Sequence, residues 1–122
     1  MSKYIADSWV ILEMIHSEKT YHKIFATLID REGWRINSGI DYVKKEIGYN
    51  PNHYDPSNFT TTYKVFGHSG SEYHLIKGGY GIYGMYNKSV LYDILRKAIS
   101  NGFVIKKLEE NEAYKVLEKY LR

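Results

Sequence analysis

The sequence predicts an α+β domain with three or four helices, a small antiparallel β-hairpin sheet and an added C-terminal helical segment. Apolar residues recur at helical spacing before residue 48 and again after residue 87. Between these regions, residues 53–86 have the pattern of a capped helix followed by a hairpin rich in glycine and tyrosine. These observations favour helices packed beside one short sheet.

Length and residue types indicate one cytoplasmic domain. The 122 residues can bury a core, so we expect a single domain over 1–122, with a core over about 4–86 and a C-terminal extension over about 87–122. Cysteine is absent, which excludes disulfides and thiolate metal sites and fits a reducing compartment. The N-terminus does not resemble a signal peptide, and no window approaches the ~18 apolar residues of a membrane span, so we expect no membrane partner.

Charge and aromatic content point to binding rather than to a reaction. The chain carries 17 basic and 14 acidic side chains, a net charge of +3 that permits a polyanionic partner and argues against a DNA mimic. It also contains 13 tyrosines. Tyrosine combines apolar area with a hydroxyl group, so it suits interfaces and stacking surfaces.

The first half of the chain is predicted to be mainly helical. Residues 4–18 place Ile5, Trp9, Leu12 and Ile15 close to one helix face. A second helix would begin at an N-cap, Thr20, and end at Gly33. Alternation in residues 34–37 indicates a short strand, and a third helix would then run from Ser38 to Gly48 with an apolar face of Ile40, Val43 and Ile47.

A loop over 48–55 is expected to lead into a helix over 56–66. Asp55 can cap the free amides and Pro56 suits the first helical position. Phe59, Tyr63 and Phe66 would share one face. Three consecutive threonines, residues 60–62, are poor helix formers, so an extended segment is the alternative.

A hairpin and a helical tail complete the prediction. Residues 72–77 alternate as a strand, Gly78–Gly79 fits a two-residue turn, and 80–86 would form the return strand. After residue 87 an apolar stripe predicts a helix to about Ser100, followed by a strand over 103–108. Residues 110–121 fit a helix, which apolar spacing favours over a second hairpin.

Eight residues form the predicted nucleic-acid-binding site. Thr60, Thr61 and Lys64 would face outward from the helix over 56–66, where hydroxyls and a lysine can contact phosphates or base edges. Lys77 and Tyr80 would act from the hairpin. Basic residues of the preceding elements would hold phosphates: Arg35, Lys44 and Lys45.

Helices followed by a short sheet ending in G-x-Y-G resemble winged helix-turn-helix modules of bacterial restriction-associated and uncharacterised proteins. The matching wing residues are Gly79, Tyr80, Gly81, Tyr83 and Gly84. The resemblance covers roughly residues 8–86 and departs from the family in the loop over 48–55 and in the threonine run. It implies binding of double-stranded DNA, or recruitment of a partner by the same fold.

Enzyme hypotheses rest on isolated features. His53, Asp55, His68 and His74 could ligate a metal, but their spacing matches no metal motif. Gly81–Ile82–Tyr83 has no second YIG segment after it, and Gly67 to Ser71 lacks the last glycine of a nucleophile elbow. We therefore predict a non-enzymatic protein with no cofactor and no catalytic or metal-binding residue.

The alternative function is a protein-interaction module or small inhibitor. It would act through a tyrosine-rich surface of Tyr73, Tyr80, Tyr83 and Tyr86. Self-association as a homodimer is a related alternative, through an apolar stripe on the helix after residue 87: Val90, Leu91, Leu95 and Ala98.

Overall fold

The computed structural model describes residues 3–28, 33–49 and 59–122. Within these ranges the chain forms seven strands and two helices. The elements, in chain order, are β1 (Lys3–His16), β2 (Lys19–Leu28), β3 (Trp34–Ile36), β4 (Ile40–Tyr49), β5 (Phe59–Gly67), β6 (Glu72–Ile76), α1 (Met85–Ser100), β7 (Val104–Lys107) and α2 (Glu110–Lys119).

All seven strands belong to one mixed sheet. Its order is β3-β2-β1-β6-β5-β4, so two antiparallel three-stranded units meet where β1 and β6 pair in parallel through residues 3–5 and 72–74. Further along β1, Leu12–Ile15 pair with β7 on the same edge. Between β6 and β7, Tyr80 forms a parallel bridge with Trp9. β1 is therefore the central strand, and three separate segments share one of its edges.

The two helices cover opposite faces of the sheet. We call the face under α2 the inner face and the face under α1 the outer face. On the inner face, α2 buries Ala113, Val116 and Leu117 against side chains from five strands: Trp9, Ile11, Ile24, Val43, Tyr63 and Leu75. On the outer face, α1 buries Leu91 in a second core, together with Val10, Leu12, Phe25, Ile82 and Ile105. The segment Trp9–Leu12 is an unbroken apolar run because both faces of β1 are covered there.

The chain after α2 lies along the edge of β4 that is not paired with β5. The amide of Val43 donates to the carbonyl of Tyr120 at 2.9 Å, and the amide of Arg122 donates to the carbonyl of Val43 at 3.0 Å. These bonds satisfy part of an edge that would otherwise present free backbone groups. The hydroxyl of Tyr120 also lies 3.1 Å from Nδ1 of His22 on β2, so the residue after α2 contacts both β2 and β4 and the sheet curls around this helix.

The predicted winged helix-turn-helix arrangement is wrong. The described residues form a sheet of seven strands with two helices, instead of three or four helices beside a hairpin. Within the described residues, the segments predicted as helices over 4–18, 20–33 and 38–48 overlap β1, β2 and β4. The short strand at 34–37 is confirmed as β3.

Two β-bulges explain part of this error. The register of β1 shifts between Ala6 and Ser8, so that Ala6 and Trp9, three residues apart, both enter the inner core. The register of β4 shifts between Ile40 and Tyr42, so that Ile40 and Val43 also share that core. A bulge turns a period of two into a local spacing of three, which imitates one turn of a helix.

The described part of the segment predicted as a helix over 56–66, from residue 59 onward, is also a strand. β5 spans Phe59–Gly67, so the extended alternative indicated by the threonine run is correct from residue 59 onward. The strand over 72–77 is confirmed as β6 up to Ile76, but the turn after it is centred one residue earlier than predicted, on Lys77 and Gly78, because the amide of Gly79 donates to the carbonyl of Ile76 at 3.0 Å. The return strand over 80–86 is wrong except for the bridge at Tyr80, which joins Trp9 and not β6. The loop predicted over 48–55 is wrong for residues 48 and 49, which belong to β4, and its residues 50–55 lie outside the described residues.

The C-terminal predictions are confirmed as α1, β7 and α2, the last as a helix and not a second hairpin. A capping box fixes the start of α2, because the side chain of Glu109 and that of Glu112 each accept a backbone hydrogen bond. Within the described ranges, no helix has the length and apolar character needed to cross a bilayer.

Candidate functional site

The residues of the predicted nucleic-acid site do not form one surface. Cross-strand pairing places Lys44 opposite Lys64, on the outer face of β4 and β5. Lys45 and Thr61 alternate with these residues and so point to the inner face, where Lys77 also lies over the ring of Tyr114. The cations are thus divided between two sides of the sheet.

Most of these cations already have an acidic or aromatic partner. Lys64 forms a 2.8 Å ion pair with Glu46, and Lys45 forms one of the same length with Glu118. The hydrogen bonds of these pairs raise the pKa of both lysines and lower the pKa of both carboxyl groups. These interactions reduce the charge available to a polyanion.

The remaining members of the predicted site are also separated. Arg35 on β3 stacks 5.1 Å from the ring centroid of Tyr4, and Thr60 lies at the other end of the sheet on β5. Tyr80 is not on a wing. Its hydroxyl donates to the carbonyl of Leu108 at 2.6 Å and accepts from the amide of Ile11 at 3.2 Å, and burial raises its pKa to about 12.

The four tyrosines predicted to form a protein-binding surface do not share one surface either. Tyr73 is buried in the inner core beside Tyr4, and burial raises its pKa to about 12. Tyr80 is half-buried, as described above. Tyr83 and Tyr86 are exposed, just before α1 and in its first turn. Only the second pair can contribute to a surface.

A hydrogen-bonded cluster centred on His22 lies where β1, β2 and the end of α2 meet. Nε2 of His22 is 3.2 Å from a carboxylate oxygen of Glu13, and Nδ1 is 3.1 Å from the hydroxyl of Tyr120. Burial raises the pKa of Tyr120. A cleft of about 260 Å³ adjoins the cluster, with His68 and Asp41 in its wall. Because both ring nitrogens of His22 already have partners, this cluster joins three elements rather than presenting a free base.

The histidines of the metal hypothesis do not converge. His74 is hydrogen-bonded to Glu72, which lowers the pKa of that carboxyl group. His68 directly follows β5 and lies against Gly39, whereas His74 pairs with Lys64 within the strand. Among the described residues, no three histidine, aspartate or glutamate side chains are grouped as metal ligands. His53 and Asp55 lie outside the described residues.

Half of the exposed large hydrophobic residues in the described part of the chain lie on helix α1 or just before it. Of the ten exposed large hydrophobic residues found there, five fall within 83–99: Tyr83, Met85, Tyr86, Tyr92 and Ile99. Met85, Tyr92 and Ile99 are 89%, 69% and 59% exposed. They are spaced seven residues apart, about two helical turns, so they form one line along the helix, which we call the α1 stripe.

The α1 stripe lies well away from the face of α1 that packs on the sheet. Leu91, Ile94 and Ala98 turn toward the outer core, while Leu95 lies half-buried between that core and the stripe. Polar residues border the stripe on its other side: Ser89, Asp93 and Arg96. The sequence prediction missed this stripe, although its spacing of seven was visible beside the stronger core pattern of Val90, Leu91, Leu95 and Ala98.

No family model, curated protein or solved structure matches this chain.

Proposed function

We propose that the protein is a non-enzymatic, cytoplasmic protein-interaction module that binds its partner through the α1 stripe. The observation that carries the proposal is the exposure of Met85, Tyr92 and Ile99 in one line on a regular helix. Several large apolar side chains exposed on one side of a single helix, with polar residues between them, are a common feature of surfaces that bind another protein. A sequence without cysteine supports a reducing compartment.

The residue types of the stripe suit a protein partner. Tyrosine and methionine are enriched at protein interfaces, where an aromatic ring buries much area at a small entropy cost. Arg96 lies 5.8 Å from the ring centroid of Tyr92 and 3.1 Å from Asp93. A helix fixed to the sheet by its opposite face presents these groups with little loss of freedom on binding.

Binding experiments with paired variants test this proposal. Immobilised protein should capture a partner from extracts of the native host, and Tyr92→Ser with Ile99→Ser should abolish the capture. The matched control is Ile47→Ser, because Ile47 is 67% exposed on β4, far from α1. Capture that survives the stripe variants, or that is lost equally in the control, contradicts the proposal.

A second candidate, binding of nucleic acid and in particular double-stranded DNA, is favoured by one observation. Lys44 and Lys64 are directly opposite each other in the antiparallel pair of β4 and β5. Like charges in this position are destabilising, and Glu46 already compensates Lys64, so a phosphate bound here would act mainly on the charge of Lys44. This candidate uses the outer face of the sheet and not a winged-helix surface.

A salt series with labelled random duplex DNA tests the second candidate. Binding through the outer face should weaken in Lys44→Ala/Lys64→Ala and lose part of its salt dependence. Lys45→Ala/Lys77→Ala removes the same charge from the inner face and serves as the control. Equal effects of the two double variants would contradict a site on the outer face.

A further inference from the structure

We propose that the cleft between β2 and β4 binds the amino terminus of an extended peptide, whose backbone pairs with the open edge of β2 and whose ammonium group meets Asp41. The described wall of this cleft consists of residues 20–22 of β2, residues 39–41 at the start of β4, His68 and Tyr120. None of these residues belongs to the α1 stripe, so this inference is independent of the proposed function.

The edge of β2 that faces the cleft has unpaired backbone groups. The amide of Ile24 donates to Oδ1 of Asn37 at 2.8 Å, and its carbonyl accepts the amide of Asn37 at 3.1 Å, so the backbone groups of Ile24 point away from β1. No register shift interrupts the pairing with β1 over 20–24, so Thr20 and His22 turn their backbone groups to the same side.

This part of the edge is ready to pair with another chain. After Asn37 the chain leaves β2 and enters β4, and no described residue hydrogen-bonds to the backbone N–H or C=O groups of Thr20 and His22. Two donors and two acceptors therefore alternate along one side of the cleft. Such an edge binds an extended peptide by adding it as a further strand.

The charge of the cleft selects a cation. Its described wall contains no lysine or arginine, and Asp41 is its only carboxylate. Asp41 is exposed, and no described residue forms an ion pair with it. A ligand therefore meets a negative charge that no basic side chain of the wall neutralises, which favours an ammonium group over a carboxylate.

A hydrogen-bond relay supplies a second acceptor for that ammonium group. The carboxylate of Glu13 can only accept, so Nε2 of His22 donates to it and Nδ1 is left as an acceptor. The hydroxyl of Tyr120 therefore donates to Nδ1, and its oxygen keeps lone pairs for a donor in the cleft. Burial raises the pKa of Tyr120, so the phenol retains its proton.

The size of the cleft suits the end of a chain. Its volume is about 260 Å³, below the ~300–1,000 Å³ of sites that enclose drug-sized ligands. An α-ammonium group carries three donors, and the peptide groups that follow it alternate a donor and an acceptor. The acceptors Asp41 and Tyr120 match the first part of such a ligand, and the β2 edge matches the second.

NMR titration of the full ¹⁵N-labelled chain at about pH 7 with trialanine amide is the first test, because an α-amino group still carries its proton there. We expect shifts centred on residues 20–22 and 39–41, with a dissociation constant of about 1 mM or below. N-acetylated trialanine amide lacks the ammonium group and should bind at least about tenfold more weakly. Absence of shifts with the free peptide, or equal shifts with the acetylated one, overturns the inference.

A titration with n-propylamine distinguishes a peptide terminus from a free amine. Propylamine carries the same charge but has no peptide groups to pair with β2. Weaker binding of propylamine than of trialanine amide supports the added strand. Equal binding overturns the pairing with β2 and assigns the cleft to small amines.

Variants test the residues of the cleft. Asp41→Asn keeps the size of the side chain and should raise the dissociation constant of trialanine amide about tenfold, because a charged hydrogen bond is lost. Tyr120→Phe should also weaken binding. The matched control is Asp7→Asn, because Asp7 is exposed about 20 Å along β1 from Glu13. Circular dichroism checks that each variant is folded, and equal effects of Asp41→Asn and Asp7→Asn overturn the assignment.

Discussion

The hydroxyl of Tyr80 donates a 2.6 Å hydrogen bond to the carbonyl of Leu108, and these residues lie 28 positions apart. The same oxygen accepts the amide of Ile11 at 3.2 Å. The Tyr80 ring also contacts the edge of Trp9, with centroids 4.9 Å apart. One phenol thus joins the central strand to the segment that leads into α2.

Removing this hydroxyl should destabilise the fold. Tyr80→Phe keeps the ring but leaves the Leu108 carbonyl and the Ile11 amide without this partner, at a cost of about 1–3 kcal/mol. The measurement is the free energy of unfolding in urea. Tyr83→Phe removes an exposed hydroxyl and should change nothing. Equal stabilities of the two variants would show that Tyr80 does not carry the connection.

Stability should fall at alkaline pH. Burial raises the pKa of Tyr73 and of Tyr80 from 10.0 to about 12, so the folded state keeps both phenols neutral after the unfolded chain has begun to ionise. Their contribution is complete below pH ~10 and is lost as the pH rises through ~12, because the folded state then binds more protons than the unfolded state.

Unfolding in urea between pH 8 and 12 measures this loss, and absorbance near 295 nm follows the phenolates. Tyr73→Phe should make the fall between pH 10 and 12 shallower. A stability curve that is the same with and without this hydroxyl would be evidence against the raised pKa.

Gly39 should tolerate no larger residue. Its φ of +133° is one that other residues rarely adopt, and an added Cβ would lie 2.8 Å from Cδ2 of His68. Gly39→Ala should cost about 1–3 kcal/mol in the free energy of unfolding. His68→Ala in the same chain should recover only the part due to the collision.

The matched control for this position is Gly48→Ala. Gly48 has no positive φ and no neighbour within 4 Å of the added carbon, so the variant should be neutral or slightly stabilising. Equal losses at both glycines would mean that neither the backbone conformation nor His68 is the cause.

The packing of α2 against the inner face should contribute strongly to the free energy of unfolding. Leu117 is fully buried among strands of both antiparallel units, and Leu117→Ala should lower the free energy of unfolding by about 2–5 kcal/mol. Ile47→Ala removes an exposed side chain and should stay within about 0.5 kcal/mol of wild type. Thermal or urea unfolding compares them. A small loss at Leu117 would indicate that the sheet holds together without this helix.

The C-terminal elements could be predicted from sequence because each has one apolar face and clear ends. The core-facing residues of α1 follow a helical period: Val90, Leu91, Leu95 and Ala98. Asn101–Gly102 ends the helix. α2 has acidic residues in its first turn and a basic residue in its last. These local signals agree with the tertiary structure.

The N-terminal half could not be predicted in the same way. Periodicity reports which side chains are buried, and the middle of β1 is buried on both faces, so Trp9–Leu12 show no alternation. The bulges in β1 and β4 then add spacings of three. The β-branched and aromatic content of these segments was the better signal, as the threonine run of β5 illustrates.

The candidate site was only partly visible in the sequence. Lysines close together in sequence, Lys44 and Lys45, alternate between the two faces of a strand, whereas a helix would have kept them on one side. The return strand predicted over 80–86 does not form, because Gly81 and Gly84 adopt φ values of 129° and 88°, which are not those of a strand. Tyr83 and Tyr86 were selected correctly as surface residues, and the stripe beside them was overlooked.

The position of β1 at the centre of the sheet has a consequence for synthesis of the chain. Its residues leave the ribosome before the segments that cover it, because Tyr80 follows Ile11 by 69 positions and Leu108 comes later still. At about 5–20 residues per second, the most apolar strand waits several seconds for the segments that cover its edge and faces. Nascent β1 is therefore the part of this protein that chaperones would be expected to bind, and its folding should be slow because its contacts are distant in sequence.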